Sequence, residues 1–163
     1  MENLIKFGYF TTHTMKTLRA SIEINVSPEI IWDWILHVAE NYLEWHPSHI
    51  KANWETEKAS EVGSILYAEE DIGDEFLKMR SKMTKLIPNR LYRFKTVGGL
   101  KLILAGGSFE IEPSENGSIF TATLDFHMGK LISKLAKKKV QQISQHMIEE
   151  GENLKKILEK SIS

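Results

Sequence analysis

Between Leu18 and Val26 apolar and polar residues alternate, with Leu18, Ala20, Ile22, Ile24 and Val26 on one side. A period of two predicts a strand with one buried face. The period then changes. Ser27 and Pro28 supply an N-cap and a first helical residue, and Ile31, Trp34, Ile35 and Val38 recur at helical spacing. ENYLEW predicts a second, short helix stopped by Pro47.

Alternation returns at Ile50, Ala52 and Trp54. GSILYAEED and EFLKMRSKMTKL flank Ile72-Gly73-Asp74, a hairpin signal. PNR turns into LYRFKTV, and Gly98-Gly99 leads to a strand over LKLILAGGSFEIE. PSENG turns into SIFTATLDFHM, with Phe120, Ala122, Leu124, Phe126 and Met128 on one face. Gly106 and Gly107 have no phosphate-loop spacing and read as bulges in a bent sheet. From about Lys130 to Lys160 the pattern is that of one long helix.

A strand, two helices, six strands and a long helix argue for an α+β domain: an antiparallel sheet of about seven strands packed on the C-terminal helix. Residues 1–16 read as an N-terminal extension and 17–163 as a single domain, with Met15 an alternative start.

The long helix carries an anomaly. Ile143, Met147, Leu154 and Ile157 form an apolar stripe, and Glu150 sits inside it with His146 one turn before. Residues four apart project to one side, and a lone buried carboxylate is costly unless paired, protonated or metal-bound. A strand lysine is the ordinary partner. Two further segments suggest a metal instead: WHPSH offers His46 and His49 at the entry to the second strand, and LYAEEDIG offers Glu69 and Glu70 at the end of the third. Two imidazoles and two carboxylates suit zinc or another divalent first-row metal. His46, next to Pro47, also suits a helix cap. Glu70 shares a face with Leu66 and Ala68, Glu69 with Ile65 and Tyr67, and periodicity alone does not choose between them.

The strand followed by SPEIIWDWI, then YLEWHPS, together with the order of elements, resembles the helix-grip fold of the START/Bet v 1-like (SRPBCC) superfamily over roughly residues 17–160. The resemblance implies a deep apolar cavity under the long helix, for which Tyr67, Met79, Met83, Tyr92 and Met147 are the candidate lining residues. The chain also resembles the diacetylphloroglucinol hydrolase branch, which joins a Trp-x-Pro-x-x-His segment, a Glu beside an Ile-Gly turn and a His-x-x-x-Glu on the last helix around zinc. Carried over, these give His49, Glu70, His146 and Glu150 as ligands, with Glu70 and Glu150 as the catalytic, mobile carboxylates. The implied activity is metal-dependent hydrolysis of a small hydrophobic substrate, such as the C–C bond of an acylated phenolic ketone. The alternatives are a non-catalytic carrier of an apolar ligand and a polyketide cyclase or dehydratase.

Composition narrows the rest. A net charge of −1 gives no electrostatic case for nucleic acid. The 163 residues contain no cysteine, which removes thiol catalysis and fits a reducing cytoplasm. No apolar run is long enough to expect membrane insertion. The expected partner is a small hydrophobic ligand, with a homodimer compatible with the fold. KLAKKK and Lys130 make the start of the long helix basic, a solvated face in the first instance.

Overall fold

A computed structural model describes residues 14–73, 75–128 and 137–161. The first alternating run forms β1 (Thr14–Ile24), which begins three residues before the expected domain start. Two short helices follow, α1 (Pro28–Leu36) and α2 (Val38–Trp45). Ser27 stands at the N-cap of α1 in an extended conformation, but its hydroxyl makes no capping bond; Pro28 and the acidic Glu29 in the first turn supply the start signal. Then come β2 (His49–Trp54), β3 (Ile65–Ile72), β4 (Glu75–Ile87), β5 (Leu91–Val97), β6 (Leu104–Pro113) and β7 (Ser118–Met128). The chain closes on α3 (Lys137–Ser161); the expected helical residues 130–136 lie outside the described ones.

One expectation is corrected here. Leu100, Lys101 and Leu102 belong to a short 3-10 helix (Gly99–Leu102) and not to a strand. Gly98 has a φ of +81°, which turns the chain away from the sheet before β6 begins.

The seven strands form one antiparallel sheet in the order β1-β7-β6-β5-β4-β3-β2. Register shifts interrupt it between Leu104 and Gly106 and between Met83 and Lys85, the places where a sheet bends. Glycine is required at the first of these: Gly106 has a φ of +156°, and a Cβ on Gly107 would meet the Thr123 carbonyl oxygen at 2.2 Å. The helix α3 lies across β1 and touches β3 and β7, burying Met147, Leu154 and Leu158. Ile31, Trp34 and Ile35 of α1 and Val38, Tyr42 and Trp45 of α2 close the core.

Gly151 lies on the buried side of α3, facing Ile22 of β1. A Cβ there would stand 3.4 Å from Cγ2 of Ile22, an ordinary van der Waals distance. Gly151→Ala should therefore stabilise the protein by up to about 1 kcal/mol through helix propensity. A thermal melt checks this, with a rise of about 2–4 °C expected and a fall showing that α3 has no slack against β1.

Candidate metal and ligand site

The inward face of β3 continues the alternation Leu66, Ala68, Glu70, so a carboxylate ends an apolar row. His49, the first residue of β2, pairs directly across from Glu70. His146 and Glu150, one turn apart on α3, come down on the same spot. His49 Nε2 lies 3.0 Å from Glu150 Oε1. His146 Nε2 lies 3.5 Å from that oxygen and 3.9 Å from Glu70 Oε2. Glu69 turns to the opposite face, where it accepts a hydrogen bond from Tyr67.

The tautomer of His49 follows from its other nitrogen. Nδ1 is 2.8 Å from the Tyr42 carbonyl oxygen, which can only accept, so Nδ1 carries a proton. A neutral His49 then turns the Nε2 lone pair toward the Glu150 carboxylate, and such a contact is tolerated only if a proton or a cation stands between them. Both Nε2 atoms are buried, and among the described residues neither makes an aligned hydrogen bond. Two carboxylates carry two negative charges; two extra protons or one divalent ion would neutralise them.

These donors could hold a metal ion. The N–O separations of 3.0, 3.5 and 3.9 Å bracket the edge of about 3.4 Å expected for a tetrahedron with bonds near 2.1 Å. The Nδ1–H bond from His49 to a backbone carbonyl is the usual support for an imidazole ligand. His46 is close as well, since its ring nitrogens and those of His49 and His146 include three atoms within 4.8 Å of one another. Its nitrogens are already engaged: Nδ1 accepts from the Ser48 N–H at 3.0 Å, which leaves the proton on Nε2 to donate to Glu149 at 3.1 Å. His46 thus ends α2 and flanks the inner set of His49, Glu70, His146 and Glu150.

Electrostatics follow the same geometry. Burial opposes ionisation of Glu150, but the His146 and His49 imidazoles outweigh it and hold the carboxyl down at about 2. Burial likewise opposes protonation of His146, and Glu150, Glu70 and Glu149 together turn the balance upward. The Tyr42 phenol is driven well up, by burial first and by Glu70 beside it second, so it stays a donor.

Tyr42 is the residue that sequence reasoning missed. Its hydroxyl donates to Glu70 Oε1, its carbonyl receives His49, and its ring stacks on the His49 ring at 4.0 Å. The available signal was its place on the buried Val38–Tyr42–Trp45 stripe of α2. Trp45 ties that helix to α3 by donating from Nε1 to the Glu150 carbonyl at 2.9 Å.

The four-residue cluster stands at the polar end of an apolar cavity of about 260 Å³ between sheet and α3. Met79, Met83, Tyr92 and Met147 line it, together with Glu70, His146 and Glu150. Tyr67 does not, contrary to expectation. It alternates outward between Leu66 and Ala68 and lies under the Arg80 guanidinium at 4.9 Å. On the far side of His146 lies a more open, polar pocket of about 370 Å³ lined by Ser48, Gln142, Gln145 and Glu149.

Comparison with known proteins agrees with this architecture. The structure superimposes on the Zhui aromatase/cyclase from Streptomyces sp. R1128 with a TM-score of 0.76 at 12% identity, covering 92% of this chain and 97% of that one. Norcoclaurine synthase from Thalictrum flavum, solved with dopamine and hydroxybenzaldehyde, gives 0.71 at 16% identity and 98% coverage of both chains. The Polyketide_cyc-like protein Cgl2372 from Corynebacterium glutamicum gives 0.55 at 20% identity, over 90% of this chain and 93% of that one. At these identities the likeness shows the helix-grip fold. No curated protein matches the sequence. The family described as polyketide cyclase / dehydrase and lipid transport matches residues 15–159, and its description corresponds to the cyclase and carrier alternatives, with no support for the hydrolase branch. The chain belongs to that family, within the START/Bet v 1-like superfamily.

Proposed function

We propose that the protein is a carbonyl-activating enzyme of the cyclase or dehydratase type, taking a small hydrophobic ketone into the cavity and holding a divalent ion, zinc by donor preference, with His49, Glu70, His146 and Glu150. The observation that carries this reading is the convergence of two buried Nε2 atoms and two carboxylates at one end of an apolar cavity. When bound, such an ion supplies Lewis-acid polarisation of a ligand carbonyl.

The protein's own groups divide the remaining work. Met79, Met83 and Met147 give an adaptable apolar wall that orients the ligand and excludes water. Glu150, kept anionic by two imidazoles, is a poor base and a good holder of positive charge. Glu70 stands farther from the imidazoles, with its nearest imidazole nitrogen among these contacts 3.9 Å away. Its carboxylate, anchored at Oε1 by the Tyr42 hydroxyl, presents Oε2 to take a proton from the carbon beside the carbonyl and return it to a departing hydroxyl.

A second reading, hydrolysis of an acylated phenolic ketone, is favoured by one observation. The polar pocket beyond His146 brings solvent to the outer side of that residue without crossing the apolar cavity.

Metal analysis of protein purified from metal-replete medium, followed by turnover of a ketone panel before and after chelation, tests the proposal. About one divalent ion per chain and activity lost on chelation are expected, with both absent in His49→Ala. Protein unable to take up zinc, cobalt or manganese would remove the metal. Ligand binding without turnover of any ketone would leave a carrier.

A further inference from the structure

Three segments meet where the cavity reaches solvent. Glu75 and Leu77 of the β3–β4 hairpin, Ile103 after the 3-10 helix, and Lys139 and Val140 of α3 all line it. Ile103 is itself 50% exposed, and Lys139 spans the gap to the hairpin by pairing with Glu75 at 2.6 Å. The tips of two of these segments carry large apolar side chains in water: Phe76 is 53% exposed and Leu102 75%. Neither is needed for the core, and apolar side chains grouped in this way mark a surface that something covers. Cations surround them. Lys78 holds its ammonium 5.4 Å from the centre of the Phe76 ring, Lys101 precedes Leu102, and Lys137 and Lys138 open α3; all four are exposed. Of the described carboxylates on the hairpin, Glu69 accepts from Tyr67, Glu75 pairs with Lys139, and Asp71 is exposed across from Phe76. A chain with a net charge of −1 thus gathers lysines on the rim of its cavity.

We infer that Phe76 and Leu102, with Lys78, Lys101, Lys137 and Lys138 around them, form an interfacial surface that seats the cavity rim on an anionic lipid bilayer. The apolar tips enter the boundary between headgroups and acyl chains, and the lysines, whose long stems can lie along apolar surface, meet the lipid phosphates. A second copy of the chain is a poor occupant, because it would set lysine against lysine. The inference goes beyond the reaction proposed above and holds whether or not the buried cluster carries an ion.

The test is cosedimentation with vesicles of phosphatidylcholine alone and of a two-to-one mixture of phosphatidylcholine and phosphatidylglycerol. Wild type should bind the mixture at least about tenfold more tightly than the neutral vesicles, and less so as salt rises. Lys101→Glu/Lys138→Glu should weaken binding to the mixture by about 25-fold or more, roughly fivefold for each lysine. Phe76→Ser/Leu102→Ser should weaken it by about tenfold or more, and both variants should melt as wild type does. The chain has no cysteine, so Leu102→Cys and Val62→Cys each take a single environment-sensitive fluorophore. Emission from position 102 should shift to the blue on the mixed vesicles, and emission from position 62, at the other end of β3, should not. Absence of wild-type binding, undiminished binding by the folded variants, or a blue shift at position 62 alone would overturn the inference. So would a wild-type dimer in gel filtration that Leu102→Ser dissociates, since the rim would then be covered by a second copy.

Discussion

As pH rises from 5 to 8, the melting temperature of zinc-saturated protein should climb away from that of the chelated protein. In the chelated protein the cluster is held by pairing between Glu150 and the imidazoles. Glu150 is depressed from 4.5 to about 2, so its contribution is present above pH 4.5 and lost as pH falls through about 2. At ~1.4 kcal/mol per unit, that depression corresponds to roughly 3 kcal/mol. The shift on His146 has the opposite sign. Its folded value is raised above 6.5, so its contribution is full below pH 6.5 and fades as pH rises through the folded value.

The chelated protein thus has its best pairing between about 4.5 and 6.5 and loses some of it toward pH 8. Zinc reverses the trend, because imidazole must give up its proton to bind metal. At a hundredfold excess over Kd, zinc adds about 2.7 kcal/mol, which in a chain of this size raises the melting temperature by about 5–10 °C. Proton release on zinc addition, followed by calorimetry in buffers of different ionisation enthalpy, should be larger at pH 6 than at pH 8. A zinc effect independent of pH, or no effect at any pH, would remove His146 from the ligand set.

How much of this was legible before the fold was seen depends on how each residue acts. Periodicity carries information about faces, so β1, α1 and the Glu150 anomaly in α3 could be read directly. It also held the answer for Tyr67, whose neighbours Leu66 and Ala68 point inward and therefore turn it out. Ranking it as a cavity residue went against the alternation. The strand expected at Leu100 failed because an apolar run does not by itself distinguish a strand from a single helical turn, and Gly98 bends the chain first.

The contribution of Tyr42 was invisible for a different reason. It acts partly through its backbone carbonyl, which no residue type announces, and partly through a hydroxyl whose partner Glu70 is 28 positions away. The difference between His46 and His49 lies in hydrogen-bond geometry that no residue type announces: one ring accepts from a backbone N–H and the other donates to a backbone carbonyl.

Tyr42→Phe isolates that support. Phenylalanine keeps the stacked ring over His49 and leaves the carbonyl in place, so the His49 tautomer and the packing of α2 should survive. What is lost is the hydroxyl that fixes Glu70 Oε1 and directs Oε2 toward His146. Partners of this kind typically account for 10- to 100-fold in metal affinity, and zinc affinity should fall by about that factor. Stability of the chelated protein should change by no more than about 1 kcal/mol, the net worth of one hydrogen bond. Competition against a chromophoric chelator measures the first quantity and a melt in excess chelator the second. The pairing of a large affinity loss with a small stability loss is the signature of a group that positions a ligand. Unchanged zinc affinity in a folded Tyr42→Phe protein would mean that Glu70 does not hold the ion, and the ligand set would shrink to His49, His146 and Glu150.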